Sequence, residues 1–215
     1  MEVREIYPVV SAQAGLCPVP MVVLKTHEAL DDYFRKTHAW RHTVRIPFAQ
    51  PLPGSMELPV PQGTRACAVF DVWLNGQEAE HINGDVNIPP TTMPFPVPFH
   101  WHMKQGWQFV NGRLEMQPHS LPPFHPYLHM FFEALVALTV KHGGVTAVPD
   151  WIDPNEIAAG ALGKIFSLAG QPYANGDLAM YFTDKFNEAI AEKRVEMLHA
   201  GRPGSLRMRA PEFGG

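Results

Sequence analysis

The chain has 215 residues, of which 46% are hydrophobic and 18% charged, and its formal net charge is -4. This composition is typical of a globular protein with one substantial core and argues against a disordered chain. The negative net charge argues against nucleic acid as a main partner, because proteins that bind nucleic acid usually carry a basic stripe.

Neither a disulfide framework nor a targeting segment is indicated. The two cysteines, Cys17 and Cys67, are too few for such a framework or for a four-cysteine zinc site. The first residues lack the basic and apolar regions of a secretory signal. The longest apolar run, MFFEALVALTV (130–140), contains Glu133 and is shorter than the ~18 residues that a membrane helix needs. We therefore expect a cytoplasmic protein without a membrane span.

Residues 1–124 are predicted to form a β-rich, proline-rich part with one short helix that Thr26 caps. Most of the 22 prolines lie there, and proline is confined to loops, turns and edge strands of a sheet. Two Asn-Gly pairs, Asn75–Gly76 and Asn111–Gly112, predict tight hairpins. The runs predicted to be strands are PMVVL (20–24), HTVRIPF (42–48), ACAVFDVWL (66–74) and GWQFVNGRLEM (106–116).

Residues 125–201 are predicted to be helical and to pack on the first part, with residues 202–215 as a tail. Pro126 suits the first turn of a helix that runs to the Gly143–Gly144 pair. This helix is apolar on nearly every side, so we expect it to be buried and central. The chain as a whole is therefore predicted to be an α+β protein in a single compact domain.

Two further helices follow in this second part. Asp153 and Glu156 occupy the positions of a capping box at the start of one of them. The other spans residues 177–200, and its polar residues are expected on a solvated face. Its inward face repeats apolar residues at four-residue steps, namely Leu178, Phe182, Phe186 and Ile190.

Histidines are the main functional indication in the sequence. Of the 11 in the chain, five fall between residues 100 and 129, and these are His100, His102, His119, His125 and His129. On a strand, His100 and His102 project to the same face. On the helix predicted after Pro126, residues four apart are neighbours, so His125, His129 and Glu133 would share one side.

If strand and helix converge, these side chains form a metal site. His100, His102, His125 and His129 are the candidate ligands, and His119 is a reserve ligand. Imidazoles with one carboxylate suit a transition metal ion, Zn, Fe, Mn or Cu. Glu133 is then a further ligand or the catalytic general base of a hydrolase or oxygenase. Alternatively, these histidines are hydrogen-bonded side chains among aromatic residues and bind no metal.

Two short segments resemble known families. HWHMKQGWQFVNGRLEM (100–116) resembles the first motif of cupins, which implies that His100 and His102 are metal ligands, although the glutamate of that motif is absent near Gly106. VWLNGQEAEHINGD (72–85) is similar to repeats of PAAR spike-tip proteins of contractile secretion systems, which bind zinc. Both resemblances imply a histidine-bound metal on a β scaffold.

Two functions therefore remain open. The first is a soluble metal-binding protein with a histidine cluster, acting on a small-molecule substrate as a metal-dependent hydrolase or oxygenase. The second is a non-enzymatic structural component of an oligomeric assembly, such as a phage or a contractile secretion particle, whose partners are protein neighbours. In either case we expect a homo-oligomer or part of an assembly.

Overall fold

The structure is a computed structural model that describes residues 1–48, 55–74, 77–78, 80–81, 106–116, 130–141 and 147–200. Within these residues the chain has four α-helices, a short 3-10 helix at Val3–Glu5 and eight strands in two sheets. The mixed α+β class predicted from the sequence is therefore confirmed.

The α-helices lie at the two ends of the described chain. They are α1 (Ile6–Ala14), α2 (Val19–Thr37), α3 (Pro154–Phe166) and α4 (Gly176–Ala200). The run PMVVL (20–24), predicted to be a strand, is part of α2. Thr26, predicted to cap a helix, lies inside α2 and donates its hydroxyl to the Val22 carbonyl at 2.8 Å. Pro20 is compatible with this helix because it lies in the first turn, where the amide needs no partner.

The strands form two four-stranded sheets. They are β1 (Arg41–Phe48), β2 (Ser55–Glu57), β3 (Thr64–Leu74), β4 (Gln77–Glu78), β5 (Glu80–His81), β6 (Gly106–Val110), β7 (Arg113–Met116) and β8 (Met130–Val140). The strand order is β1-β8-β3-β4 in the first sheet and β2-β7-β6-β5 in the second. Neighbouring strands are antiparallel, except that β5 and β6 are parallel.

Strand β8 occupies the residues for which the sequence predicts a central buried helix, so that prediction is wrong, and the second part of the chain is not wholly helical. β8 pairs with β1 on one side and with β3 on the other. Phe132, Ala134, Val136 and Leu138 lie in the core with residues of the second sheet, whereas Thr139 donates its hydroxyl to Asp31 of α2 at 2.7 Å. A strand covered on both faces is apolar at consecutive positions, and therefore lacks the alternation that identifies strands.

The hairpin predicted at Asn111–Gly112 is confirmed. Asn111 and Gly112 have φ values of 52° and 78°, as in the two central residues of a type I′ turn, and Val110 pairs with Arg113. At the other predicted hairpin, Leu74 pairs with Gln77 in antiparallel register. The intervening Asn75 and Gly76 lie outside the described residues.

The buried side chains form two clusters. The helical core joins α1, α2, α3 and α4 and includes Ile6, Phe34, Leu162 and Phe186. The sheet core joins the two sheets and includes Val72, Trp107, Leu114 and Phe132. Trp40, between α2 and β1, packs against both clusters, and its carbonyl accepts a hydrogen bond from the Leu138 amide at 2.8 Å.

Helix α3 begins as predicted, with Asp153 as its N-cap. The Asp153 carboxylate accepts a hydrogen bond from the Asn155 amide at 2.8 Å. Glu156, predicted to complete a capping box, instead accepts a hydrogen bond from the Tyr33 hydroxyl of α2 at 3.0 Å. This contact ties α2 to α3, and burial raises the pKa of the Glu156 carboxyl.

Helices α3 and α4 approach closely at Gly160, which leads to a prediction about stability. A Cβ atom at Gly160 would lie 2.7 Å from two ring carbons of Phe186. Gly160→Ala should therefore overpack the interface at a cost of ~2–3 kcal/mol, the upper part of the usual range, which exceeds the gain in helix propensity of about 1 kcal/mol. We expect a lower free energy of unfolding in chemical denaturation.

Gly176→Ala is the matched control, because a Cβ atom at Gly176 meets nothing within 4 Å. Its unfolding free energy should change by no more than about 0.5 kcal/mol. If Gly160→Ala is as stable as Gly176→Ala, the close packing of α3 on Phe186 is not rigid, and the prediction is wrong.

Candidate functional site

The five histidines predicted to bind a metal ion lie outside the described residues. They are His100, His102, His119, His125 and His129. Their convergence around one ion therefore stays a prediction from the sequence. Among the candidate site residues, Glu133 is the one that the structure describes.

Glu133 lies on β8, not on a helix. The helical setting that would bring Glu133 within one turn of its predicted partner is therefore absent at Glu133 itself. Within the sheet, Arg45 of β1 and Trp73 of β3 are its paired neighbours, and its side chain is half-buried. Opposite charges at directly paired positions stabilise a sheet. The register with Arg45 thus gives Glu133 a structural role beside the predicted catalytic one.

Among the residues that the structure describes, no group of three or more His, Cys, Asp or Glu side chains is arranged to hold a metal ion. His27 of α2 is buried, and its Nε2 lies 3.0 Å from the Tyr7 hydroxyl of α1. His38 follows the last residue of α2 with a left-handed backbone, at φ 52°. Both therefore have positions that the fold itself explains.

The two cysteine thiols are poor nucleophiles. Burial raises the pKa of the Cys17 thiol, an effect that a hydrogen bond with Tyr173 partly opposes. The pKa of Cys67 is raised to about 11, mainly by burial and to a smaller extent by the nearby Asp31 carboxylate. Since the thiolate is the reactive form, both thiols are mostly protonated near neutral pH.

The most distinctive surface of the described residues lies on α4. Its inward face packs on α2 and α3 through Phe186 and Ile190, two of the four apolar residues that the sequence places inward. Leu178, another of these four, is 39% exposed. Large apolar side chains also lie on the outward side, and Met180 and Leu198 are 66% and 70% exposed.

An outward stripe on α4 has the spacing of a coiled-coil seam. Its members follow one another at steps of four and three residues, and all are exposed. We call this stripe the α4 seam, and it comprises Met180, Asp184, Asn187, Ala191, Arg194 and Leu198. Alternating steps of four and three keep one face of a helix directed at a partner helix. Tyr181 and Val195 flank the seam, with exposures of 51% and 52%.

The sequence analysis does not predict this surface, because the charged residues of α4 favour a solvated face. The four-residue step from Phe182 to Phe186 and Ile190 marks the inward face correctly. The signal for a second face was present in the large apolar residues Met180, Tyr181, Val195 and Leu198, which lie off the inward face and are exposed. Neighbouring apolar side chains exposed on a folded domain can mark a surface for another protein.

The surroundings of His38 give a test of the position of α4. Burial lowers the pKa of His38, and the positive charges of Arg194 and Arg41 lower it further. Arg194→Gln should therefore raise the His38 pKa part of the way towards the usual ~6.5, measured by NMR titration of the imidazole. Lys185→Gln, on the same helix, should leave this pKa unchanged; equal shifts in both variants would contradict the prediction.

The lowered pKa of His38 also makes the stability of the fold depend on pH. Because the folded-state pKa of His38 is lowered, the unfolded chain binds this proton more tightly. The contribution of His38 to stability is therefore present above about pH 6.5 and is lost as the pH falls through the folded-state pKa. Arg194→Gln should reduce the size of this loss.

Comparisons with known proteins add no identification. No protein-family model matches the chain, and no curated protein matches its sequence. No single helix among the described residues is long and apolar enough to cross a membrane, and the helical segments Val3–Ala14 and Val19–Thr37 meet that criterion only jointly, with a bend of 117° between them.

Proposed function

We propose that this protein is a non-enzymatic component of an oligomeric assembly, and that copies of the chain associate through the α4 seam. The observation that carries the proposal is the exposure of Met180 and Leu198 at the two ends of the α4 seam, with the opposite charges of Asp184 and Arg194 between them. The seam extends over 18 residue steps from Met180 to Leu198, or about 27 Å at 1.5 Å per residue. This length is enough for several layers of contact between two helices.

The seam is complementary to itself in an antiparallel arrangement. A two-fold axis at the level of Ala189 places Met180 opposite Leu198 of the second copy, and Asn187 opposite Ala191 of the second copy. The same axis places Asp184 opposite Arg194 of the second copy. The two-fold symmetry repeats this contact, so the interface contains two pairs of opposite charges. Such an isologous contact, in which the same patch serves both copies, is the commonest form of homo-oligomer interface.

Apolar burial and charge would have different roles in this pairing. Met180 and Leu198 expose most of their surface in a single copy, and complete burial of such a side chain is worth ~1.5–3 kcal/mol. The exposed charges contribute less affinity, but they fix the register and the antiparallel direction. Glu188 would lie beside Glu188 of the second copy near the axis, and this like-charge contact limits the affinity.

A charge reversal on the seam tests the proposal. Arg194→Asp would place two carboxylates opposite each other at both ends of the pair, so we expect dissociation to monomers. The double variant Asp184→Arg/Arg194→Asp restores opposite charges in exchanged positions and should restore association. Sedimentation velocity or light scattering after size exclusion, over a range of protein concentrations, measures both effects.

Lys185→Glu is the matched control for this experiment. Lys185 is exposed on α4 but lies off the seam, and its Nζ lies 4.9 Å from the centroid of the Tyr181 ring. Its reversal should leave the association largely intact. A monomeric wild-type protein at high concentration, or a double variant that stays dissociated like the single one, would overturn the proposed pairing.

The metal-binding function is a second proposal, supported by the sequence pattern alone. His100 and His102 have the spacing that places two imidazoles on one face of a strand. His119, His125 and His129 follow within thirty residues. A transition metal ion, Zn, Fe, Mn or Cu, suits such ligands. Glu133 remains in this proposal as a carboxylate on β8, without the helical relation to His129.

Elemental analysis tests the metal proposal. Purified protein should contain a transition metal at close to one equivalent per chain, and the double variant His100→Ala/His102→Ala should lose it because two ligands are removed. His199→Ala is the control, since His199 is exposed on α4 and outside the cluster. A wild-type protein without metal after purification and after incubation with Zn²⁺ would contradict this function.

A further inference from the structure

A cavity of about 600 Å³ opens beside the first sheet, on the side where β3 begins. Its walls come from α2, from the residues after β2, from the start of β3, from the β6–β7 turn and from the residue after β8. A volume of this size is typical of sites for small molecules. None of its lining residues belongs to α4, so the cavity is separate from the α4 seam.

Positive charge is concentrated in this cavity. Four cationic side chains line it, namely Arg35, Arg65, Arg113 and Lys141, and Glu57 is the one carboxylate among the lining residues. The chain as a whole carries 17 Lys and Arg against 21 Asp and Glu. The cavity therefore has the opposite sign to the net charge of the protein, which favours the approach of an anion.

Asp31 holds the first of these cations in place. Arg65 donates through Nη2 to both carboxylate oxygens of Asp31, at 3.0 and 3.1 Å, and Thr139 donates its hydroxyl to the same carboxylate at 2.7 Å. Nη1 of Arg35 lies 3.7 Å from Oδ2 of the same carboxylate. Among the described residues the hydrogen bonds of Arg65 use Nη2 alone, so its remaining guanidinium donors can serve a ligand.

Two of the other cations, Arg113 and Lys141, have contacts that do not involve Asp31. Arg113 donates through Nε to the Ser55 hydroxyl at 2.9 Å, and within the part of the chain that the structure describes its two terminal nitrogens have no further hydrogen bond, so they can serve a ligand. Lys141 donates its backbone amide to the Gly63 carbonyl at 2.8 Å, and within the described part of the chain its ammonium group has no ion pair. Counting Asp31 and Glu57 against the four cations leaves two positive charges uncompensated.

The cavity also has an apolar wall. Val60 and Phe109 are partly buried against the sheet core and line the cavity together with the cations. Guanidinium groups bind phosphate oxygens through paired hydrogen bonds, and an ammonium group adds a point charge. Apolar side chains beside them suit the organic part of a ligand rather than a bare ion.

We propose that this cavity binds a phosphorylated small molecule, with the phosphate group among Arg65, Arg113 and Lys141 and an apolar body against Val60 and Phe109. Two uncompensated positive charges match the two negative charges that a phosphate monoester carries above its second pKa of ~6. Arg65 and Arg113 each keep guanidinium donors beyond those used in the hydrogen bonds described above. The phosphate oxygens would accept hydrogen bonds from these donors.

Isothermal titration calorimetry with phenyl phosphate and with inorganic phosphate, at about pH 8, tests the proposal. Phenyl phosphate should bind at least about tenfold more tightly than inorganic phosphate, because its ring also contacts the apolar wall. Phenol, which has the ring but no phosphate, should give no measurable binding. Equal affinities for phenyl phosphate and inorganic phosphate would overturn the role of the apolar wall.

Charge-removing variants locate the binding. Lys141→Gln and Arg113→Gln should each weaken phenyl phosphate binding by about tenfold or more, since each removes a charged donor. Lys36→Gln, exposed on α2 next to Arg35 but not lining the cavity, removes the same charge and should bind like the wild type. Thermal unfolding of each variant checks that the fold is intact.

Three results would overturn the proposal: no binding of phenyl phosphate to the wild type, an equal loss in Lys36→Gln, or unchanged binding in both cavity variants. The outcome is independent of the association through α4, because the cavity residues lie on other elements. A monomeric protein that binds phenyl phosphate would support this inference and contradict the proposed pairing.

Discussion

The fold depends on the burial of β8 on both of its faces. One face contributes to the core between the two sheets, and the other lies against α2, where Thr139 is hydrogen-bonded to Asp31. Leu138, Ala137 and Val136 are fully buried, so a polar residue at these positions would lose its contact with water. The helical layer and the second sheet are thus held together by a strand that tolerates few charged residues along its length.

The burial of β8 on both faces helps to explain why some parts of the fold can be predicted from the sequence and others cannot. Local signals are sufficient for the turn at Asn111–Gly112 and for the cap at Asp153, because both depend on a few adjacent residues. β8 was predicted as a helix because burial on both faces removes the alternating pattern. The distinction between a buried helix and a buried strand depends on β1 and β3, which pair with it from distant parts of the sequence.

For the candidate sites too, the sequence indicates features made by nearby residues but not those made by residues far apart along the chain. The histidine pattern from His100 to His129 is visible in the sequence, but it lies outside the described residues. The cationic cavity had no signal in the sequence, since Arg65, Arg113 and Lys141 are far apart along the chain and meet only through the arrangement of three strands. The α4 seam has a signal in its apolar end residues, Met180 and Leu198, yet the charged residues between them make a solvated face the simpler interpretation.

The separation of the buried side chains into two clusters has a consequence for how the protein opens. Trp40 packs against both clusters, and the Leu138 amide of β8 is bonded to its carbonyl. Units with their own cores open by subglobal fluctuations at different free energies. Amide hydrogens in α3 and α4 can then exchange with solvent while those of β8 remain protected, whereas any fluctuation that exposes Trp40 exposes both units at once.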